Sequence, residues 1–296
     1  MEKDLTNRDL GKKIHKCRIC SSEGSFQSYL VREMMKGTMD EFEYFLCPNC
    51  QCLQIADVPE NLGDYYGNDY YSMKDDIDPD KPFEKPLIEG MKILDMGCGI
   101  GSWLYEMASE GYGNLYGCDP FIEKDIDYGN RVHIKKCEIS EMDGDGTYDV
   151  VRMCDSFEHV LDPKAVLENA RRLIKDDGSI GISLPVYPNI AFDMFQTHWY
   201  QLDAPRHIFI HSMKSLKHLA DECDLSIKSI KYNSDPGQVV ISYFYQHGVF
   251  YDRISQELIR QYFPDDEMKK ISDLTIEANK NQIGDHALIW FTKNKG

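Results

Sequence analysis

Residues 93–102 read Ile-Leu-Asp-Met-Gly-Cys-Gly-Ile-Gly-Ser, and this stretch decides the fold. Three of its first four residues are apolar, as in a buried strand, and the amphipathic stretch 102–110 that follows predicts a helix. Glycines between a strand and a helix let the backbone approach a ligand closely, and they leave the first amides of the helix facing it. The stretch therefore predicts a ligand-binding turn at the carboxyl end of a strand.

Short apolar runs alternate with helix-length stretches around this turn. Strands alternating with helices imply a mostly parallel sheet with helices on both faces, and we expect a Rossmann-like α/β fold of seven strands. The predicted strands are 91–96, 114–118, 132–135, 148–154, 179–184, 225–232 and 286–291, and the predicted helices are 102–110, 163–175, 238–263 and 265–282, with Ser212 capping a further helix that ends at Asp221.

The glycine pattern does not fit a dinucleotide site. A G-x-G-x-x-G fingerprint counted from Gly97 meets Ser102 at its third glycine, and counted from Gly99 it meets Leu104. Asp95 also precedes the glycines, where a pyrophosphate would face a like charge. A ligand with a cationic end suits this carboxylate better.

Four cysteines near the N-terminus form two pairs with metal-ligand spacing. Cys17 and Cys20 make the first pair, and Cys47 and Cys50 the second. Two residues between paired thiolates let one turn present both sulfurs to a tetrahedral ion, so the pattern predicts a structural zinc ribbon with a hairpin between its pairs. A redox dithiol or a chance pairing of buried cysteines are the alternatives. We expect Cys52, just outside the second pair, to be a bystander.

Composition limits the partners. The chain has 296 residues, and 33 Lys and Arg against 50 Asp and Glu give a formal charge of −17. This acidity opposes broad adhesion to nucleic acid or to anionic membranes. Residues 1–10 are polar, and no run approaches the roughly 18 apolar residues of a membrane helix. We therefore expect a cytoplasmic protein with no membrane insertion and no nucleic-acid partner.

The chain divides into a zinc-ribbon module (1–60), a tyrosine-rich connector and linker (61–90), and a main domain (91–296). The main domain carries an acceptor-binding insertion at about 186–224 and a helical insertion at about 238–282. The second insertion is rich in aromatic residues. At helical spacing such a stripe favours core or a subunit interface, which allows a homodimer, over a platform for stacking sugars.

The motifs from 91 to 184 resemble those of class I S-adenosylmethionine-dependent methyltransferases. Leu94 to Gly101 resembles the family's first motif, and Tyr148 to Pro163 resembles its fourth-strand block. The resemblance implies that Asp119, 22 positions after Gly97, binds the ribose hydroxyls and that residues 137–139 contact adenine. It implies a structural role for His159. The implied cofactor-binding residues are Tyr70, Tyr71, Asp95, Gly97, Gly99, Gly101, Asp119, Pro120, Glu138, Ile139, Cys154 and Asp155.

The stretch 199–207 resembles the Trp-x-x-Leu-Asp-x-Pro-Arg-His block of a methyltransferase subgroup with an N-terminal zinc ribbon, many of whose members act on sugars or glycan intermediates. The resemblance makes His207 the candidate general base, because histidine titrates near neutrality. It implies that Trp199, Asp203 and Arg206 shape the acceptor pocket and that Tyr70 and Tyr71 close over the cofactor. His207 could instead hold the loop through hydrogen bonds, and His198, His211 and His218 lie nearby.

The resemblance thus implies an enzyme of carbohydrate biosynthesis that O-methylates, or less favourably C-methylates, a sugar in a nucleotide-linked or glycan intermediate. A small-molecule methyltransferase for a quinone or phenol is the first alternative. A zinc-ribbon interaction protein with a vestigial cofactor site is the second. Nucleic-acid methylation is disfavoured, because residues 154–157 read Cys-Asp-Ser-Phe where an Asn/Asp-Pro-Pro-Tyr/Phe motif would stand.

Overall fold

The computed structural model describes residues 8–66, 77–78, 82–88 and 90–294. The chain forms two compact units. The first, here the ribbon unit, comprises residues 1–65, 185–218 and 231–288, and the second, here the sheet unit, comprises 66–184, 219–230 and 289–296. In the described part of the chain, no helix is both long and apolar enough to cross a membrane.

The strands and helices follow one another along the chain in the following order. They are β1 (Arg8–Lys16), β2 (Glu23–Arg32), β3 (Glu41–Leu46), β4 (Leu53–Ile55), β5 (Ile93–Met96), α1 (Ser102–Ser109), β6 (Leu115–Cys118), β7 (Ile126–Tyr128), β8 (Val132–Lys135), β9 (Tyr148–Cys154), α2 (Pro163–Leu173), β10 (Ile174–Pro185), α3 (Ile190–Phe195), β11 (Phe209–Ile210), α4 (Met213–Glu222), β12 (Leu225–Tyr232), α5 (Gly237–Gln246), α6 (Gln256–Tyr262), α7 (Asp265–Lys280) and β13 (His286–Lys293).

The sheet unit is built on eight strands in the order β12-β13-β10-β9-β5-β6-β8-β7. Strand β5 lies between β6 and β9 and is parallel to both, with Leu94 beside Tyr116 and Val151. The central strands are apolar because a parallel sheet is covered on both faces. The seven predicted strands are present, and the Rossmann-like α/β fold is confirmed. The eighth strand, β7, pairs antiparallel with β8 at the edge and was not predicted.

Helix α2 illustrates why these segments fold locally as they do. Asp162 caps it by accepting the Ala165 N–H at 3.0 Å, and Pro163 occupies the first turn, where a missing N–H costs nothing. Its apolar face buries Leu167 and Leu173, among others. Burial of each leucine stabilises the fold by about 1.5–3 kcal/mol, so this face holds the helix in place.

The ribbon unit is built on a five-stranded sheet in the order β1-β2-β3-β4-β11. The first four strands come from the cysteine-rich segment and pair antiparallel, as the predicted hairpin requires. The fifth strand, β11, comes from the predicted acceptor-binding insertion and sets Phe209 beside Gln54 and Ile210 beside Leu53. The helical insertion (238–282) and residues 186–218 of the acceptor-binding insertion belong to the ribbon unit, whereas the boundaries predicted from sequence place both insertions in the main domain.

The predicted helix 238–263 is divided, and this prediction was wrong in detail. Helix α5 ends at Gln246, close to Gly248, which has a φ of 73° that helices do not accept. Helix α6 then starts anew, because the Ser255 hydroxyl accepts the Leu258 N–H at 3.1 Å. The aromatic stripe of these helices packs on itself: the Tyr243 and Phe263 ring centroids lie 5.1 Å apart. Of the two predicted roles for the stripe, this packing supports core.

The beginning of α4 follows the prediction closely. The Ser212 hydroxyl accepts the Ser215 N–H at 3.0 Å, so Ser212 caps this helix as expected. The helix ends at Glu222, one residue beyond the predicted Asp221.

Candidate active site

The glycine turn after β5 has backbone conformations that other residues rarely adopt. Gly97, Gly99 and Gly101 have φ values of 69°, 54° and 84°. A Cβ added to Gly97 would lie 2.7 Å from the Ser156 Cβ, and one added to Gly101 would lie 2.3 Å from the Ile134 Cδ1. Gly97 and Gly101 therefore have no room for a side chain. The close approach of this turn to a ligand stays a prediction.

Asp119, at the end of β6, ties this turn to the neighbouring strand. Its Oδ2 accepts the Gly99 N–H at 2.8 Å and its Oδ1 accepts the Phe121 N–H at 2.8 Å, and the residue is 5% exposed. A carboxylate oxygen can accept more than one hydrogen bond. Both oxygens therefore keep the capacity to accept a hydroxyl, while the two amides fix their direction.

Asp95, the acidic residue before the glycines, has a partner within the sheet. Arg152 stands beside it in register on β9 and donates from Nη1 to Oδ2 at 2.5 Å. The Arg152 guanidinium also lies 4.1 Å from the centroid of the Trp103 ring. Since Arg152 already supplies a cation, the charge of Asp95 is not by itself an argument for a cationic ligand. Sequence reasoning missed Arg152 and Trp103.

Phe121 was also missed in the sequence analysis. It is 78% exposed although it directly follows Asp119 and Pro120, and an exposed aromatic residue beside a candidate site is a signal in its own right. The Tyr66 ring stacks near it at a centroid distance of 6.2 Å, and the Tyr66 hydroxyl lies 3.1 Å from the His159 Nδ1. This aromatic group lies beside the carboxyl end of β6.

The residues predicted to contact adenine follow β8, and the predicted cofactor-binding residues Cys154 and Asp155 lie at the end of β9. Glu138 is exposed and its N–H donates to Glu141 Oε2 at 2.9 Å, so it begins a short 3-10 turn, in which Ile139 is buried. Burial raises the pKa of the Cys154 thiol to about 12. Asp155 has a φ of 48°, and its N–H donates to the Ser183 carbonyl oxygen.

Parallel strands end at one edge of their sheet, so these residues share that edge with the glycine turn and Asp119. Their contacts with a cofactor stay predictions. Tyr70 and Tyr71 lie outside the described residues.

The four paired cysteines converge in the ribbon unit. Their sulfurs all lie within 4.8 Å of one another, with Cys17 Sγ 3.6 Å from Cys50 Sγ and Cys20 Sγ 3.6 Å from Cys47 Sγ. Four sulfurs at about 2.3 Å from a tetrahedral zinc ion would lie about 3.8 Å apart, so the spacing fits zinc. Gln54 Nε2 donates to Cys17 Sγ at 3.2 Å. Burial raises the pKa of Cys52 well above its usual value, in keeping with a bystander thiol.

His207, the candidate base, is held in one orientation within the ribbon unit. Its Nδ1 lies 2.7 Å from the Gln201 carbonyl oxygen, and a carbonyl can only accept, so Nδ1 carries the proton. In the neutral ring Nε2 then bears the lone pair, 3.8 Å from Asp203 Oδ2. The Tyr44 hydroxyl donates to the His207 carbonyl oxygen at 2.7 Å.

The three predicted acceptor-pocket residues take part in hydrogen-bonded networks of the same unit. Arg206 is 0% exposed and donates to Glu33 Oε1 at 2.9 Å and to Asp203 Oδ1 at 2.5 Å. Trp199 is buried, and its Nε1 donates to Asp285 Oδ2 at 2.9 Å. These contacts give Trp199 and Arg206 a structural task, and their contact with an acceptor stays a prediction.

The neighbouring histidines differ from His207 in their surroundings. His198 and His211 are buried, and burial lowers the pKa of His211 to about 3. His211 is therefore neutral at physiological pH and belongs to the core. His218 lies on α4 and is partly exposed.

Comparison with known proteins identifies the family. A family model described as a methyltransferase domain matches residues 71–230, which is more than half of the 296 residues. The bovine mitochondrial ubiquinone biosynthesis O-methyltransferase is 33% identical over 111 residues, 33% of this chain and 30% of that protein. The ubiquinone biosynthesis O-methyltransferase of Pseudomonas aeruginosa is 31% identical over 109 residues, 34% of this chain and 47% of that protein.

The chain thus spans less than half the length of these curated relatives. Among solved structures, the geranyl diphosphate C-methyltransferase of Streptomyces coelicolor, in complex with Mg2+, geranyl diphosphate and S-adenosyl-L-homocysteine, is 13% identical with a TM-score of 0.45. That similarity covers 69% of this chain and 73% of the other. The family match and the sheet described above confirm the predicted family, fold class and enzyme class: the chain belongs to the class I S-adenosylmethionine-dependent methyltransferases.

Proposed function

We propose that this protein transfers the methyl group of S-adenosylmethionine to a hydroxyl oxygen of a small-molecule acceptor. The observation that carries the proposal is the arrangement of Asp119 and the glycine turn. A carboxylate fixed by two backbone N–H groups lies next to a turn of three glycines with positive φ, and two of them, Gly97 and Gly101, have no room for a side chain. A nucleoside needs both features, since its ribose presents two hydroxyl donors and its sugar approaches the turn closely.

The residues of the sheet unit fit the methyl donor. Asp119 would accept the ribose hydroxyls, Gly97, Gly99 and Gly101 would face the donor, and Glu138 and Ile139 would contact adenine. Pro120, Cys154 and Asp155 would complete the cofactor site. Asp95, held by Arg152, would fix the turn from beneath, and we assign Tyr70 and Tyr71 to the methionine end on the family resemblance alone. When bound, the donor supplies an electrophilic methyl carbon on a sulfonium.

His207 would provide the base that an alcohol acceptor requires. Its Nδ1–H is committed to the Gln201 carbonyl, so the lone pair is confined to Nε2. A ring fixed in one tautomer can take a proton at that atom without reorientation, which lowers the cost of general-base catalysis. Asp203, 3.8 Å from Nε2, would stabilise the imidazolium that forms.

A sugar hydroxyl is the first candidate acceptor. The resemblance of residues 199–207 to the zinc-ribbon subgroup supports it, and we propose Trp199, Asp203 and Arg206 as the residues that shape the pocket. A phenol or quinol hydroxyl is the second candidate, which the names of the curated relatives favour. C-methylation of a sugar also releases a proton, in that case from carbon, so both reactions need a base. The position of the methyl group in the product separates C-methylation from O-methylation.

The four-cysteine cluster would hold a structural zinc ion. Four thiolates leave no coordination position open, so the metal would stabilise the ribbon and take no part in the reaction.

An acceptor panel tests the proposed activity. UDP-glucose, dTDP-glucose and catechol would each be incubated with S-adenosylmethionine, and S-adenosylhomocysteine formation would be measured. We expect turnover of one sugar nucleotide, and a roughly hundredfold lower kcat in His207→Ala with unchanged cofactor affinity. Preference for catechol would establish the second candidate. Full activity of His207→Ala would show that His207 is not the general base. Absence of S-adenosylmethionine binding by calorimetry would refute the proposed activity itself.

A further inference from the structure

We propose that the ribbon is a positioning device for His207, and that Tyr44 and Glu33 are the positioning residues that act on it. The inference rests on the proposed role of His207 as the base, and it gives the ribbon a task beyond folding. The contacts that carry it all lie within the ribbon unit.

Tyr44 makes the most direct contact. It lies on β3, is fully buried, and donates its hydroxyl proton to the carbonyl oxygen of His207 at 2.7 Å. The two residues are 163 positions apart in sequence. A buried tyrosine hydroxyl needs a hydrogen-bond partner, so this contact fixes the His207 backbone to the ribbon sheet.

Glu33 acts through Arg206, the residue before His207. The Arg206 Nη2 to Glu33 Oε1 distance is 2.9 Å, and both side chains are 0% exposed. The Glu33 carboxylate also accepts the N–H groups of Lys36 and Thr38 at 2.8 and 3.0 Å. Because these bonds orient both of its oxygens, Glu33 offers Arg206 one fixed acceptor position. Removing one partner of such a buried pair leaves an uncompensated charge.

The strand that follows His207 is joined to the zinc-ligand turns. The Ile55 N–H donates to the Ile208 carbonyl at 3.1 Å, and Phe209 pairs with Gln54, the residue whose amide donates to Cys17 Sγ. Ser212 Oγ donates to the Cys50 carbonyl at 2.5 Å. Residues 206–212 are therefore held along the ribbon at successive points, from Glu33 to the second cysteine pair.

The function of this arrangement is to hold the imidazole in one place and one tautomer. The Nδ1–H of His207 reaches the Gln201 carbonyl only while the backbone of residues 201–207 keeps its turn, which the His207 N–H closes on the Asp203 carbonyl at 3.2 Å. A shift of about 1 Å in a catalytic group can cost about a hundredfold in rate. The ribbon would thus act on kcat through the base and leave cofactor binding alone.

Tyr44→Phe is the first test, because it removes one hydroxyl and keeps the buried ring. We expect kcat for the acceptor that the wild type methylates in the acceptor panel to fall by about tenfold. The zinc content and the Kd for S-adenosylhomocysteine should stay unchanged. Tyr29→Phe is the matched control, since Tyr29 stands directly opposite Tyr44 on β2. We expect the control to keep wild-type kcat.

The second readout needs no acceptor. In the 15N-labelled, zinc-loaded full chain, the His207 ring signals are assigned as those missing from His207→Gln. We expect Nδ1 in the protonated range and Nε2 in the unprotonated range in the wild type. In Tyr44→Phe we expect the two nitrogen shifts to move toward each other, as they do when a ring exchanges between tautomers.

Glu33→Gln extends the test to the second positioning residue, with Glu43→Gln as control. Glu43 lies on the same ribbon but is partly exposed, and its carboxylate contacts Lys13 and His15. We expect Glu33→Gln to lower kcat at least as much as Tyr44→Phe, and the control to leave it unchanged. If Glu33→Gln does not fold, the Tyr44→Phe results decide alone.

The outcomes separate this inference from the proposed function. Suppose that Tyr44→Phe leaves kcat and the His207 nitrogen shifts unchanged while His207→Ala is inactive. The positioning role would then be overturned, and His207 would still be the general base. If His207→Ala is fully active, the base is wrong, and the shifts of Tyr44→Phe alone then judge whether the ribbon holds the imidazole.

Discussion

Arg152 stands beside Asp95 in adjacent strands of the central sheet and donates to its carboxylate at 2.5 Å. Burial raises the pKa of Asp95 to about 6, and the Arg152 charge offsets part of that shift. The pKa of Asp95 is higher in the folded protein, about 6, than in the unfolded protein, near 3.8. Protonation of this carboxyl therefore stabilises the fold fully below about pH 3.8, and this stabilisation is lost as the pH rises through about 6. Asp95 thus destabilises the fold at neutral pH.

Asp95→Asn tests this relationship. A pKa shift of about two units corresponds to about 3 kcal/mol at most. We therefore expect the free energy of unfolding of Asp95→Asn, relative to that of the wild type, to increase by up to about 3 kcal/mol between pH 4 and pH 7. Urea denaturation at a series of pH values measures it. Asp149→Asn is the control, because hydrogen bonds from Lys175 and from the Lys92 N–H lower the pKa of Asp149 below 3.8. Its contribution to stability is present above that pH and should change little between pH 4 and pH 7. A pH-independent difference between Asp95→Asn and the wild type contradicts the prediction.

Asp119→Ala should weaken cofactor binding. It removes the acceptor of the proposed ribose bonds and of the Gly99 and Phe121 N–H groups, so we expect the Kd for S-adenosylhomocysteine to rise by about tenfold or more. Titration calorimetry measures it. Asp127→Ala, an exposed carboxylate on β7, is the control and should bind like the wild type. Equal affinities for Asp119→Ala and the wild type would rule out the ribose role.

Metal analysis should find about one zinc ion per chain. We expect Cys47→Ser to lose the metal and to unfold the ribbon more easily, because the binding free energy of a structural zinc ion is folding free energy. Cys52→Ser is the matched control, since Cys52 lies outside the four-sulfur cluster and should keep the metal. A metal-free wild-type protein prepared without chelator would count against the zinc assignment.

His211 makes the ribbon unit sensitive to acid. Burial lowers its pKa to about 3, and a histidine that is harder to protonate when folded destabilises the fold as the pH falls from about 6.5 toward 3. We expect His211→Asn to remove up to about 3 kcal/mol of this dependence between pH 7 and pH 4, while its amide replaces the contact with Ser215 Oγ. Thermal unfolding from pH 7 to pH 4 is the measurement, and parallel curves for the two proteins would disprove it.

Local sequence patterns predicted the parallel sheet and its strand ends closely. Tyr148–Cys154 is observed with the bounds that its apolar run predicts, and the Asp119 position follows from the end of β6. Each depends only on neighbouring residues and on the rule that open α/β sheets bind ligands at their carboxyl edge. The three-residue strand β7 is too short to give a periodic pattern.

The missed features depend on long-range pairing. Arg152 becomes the partner of Asp95 only because β9 lies next to β5, and Tyr44 meets His207 only because β11 extends the ribbon sheet. Such contacts join residues far apart in the chain, and no local pattern records them. The same holds for the buried ion pair between Glu33 and Arg206, whose residues lie 173 positions apart in the sequence.

The two-residue strand β11 affects the order in which the protein can be assembled during translation. Strand β4 is synthesised long before Phe209 and Ile210, which cover its free edge. Until then the nascent ribbon presents unpaired N–H and C=O groups that can template association with other chains. We therefore expect a fragment that stops at residue 60 to aggregate, even when it is saturated with zinc.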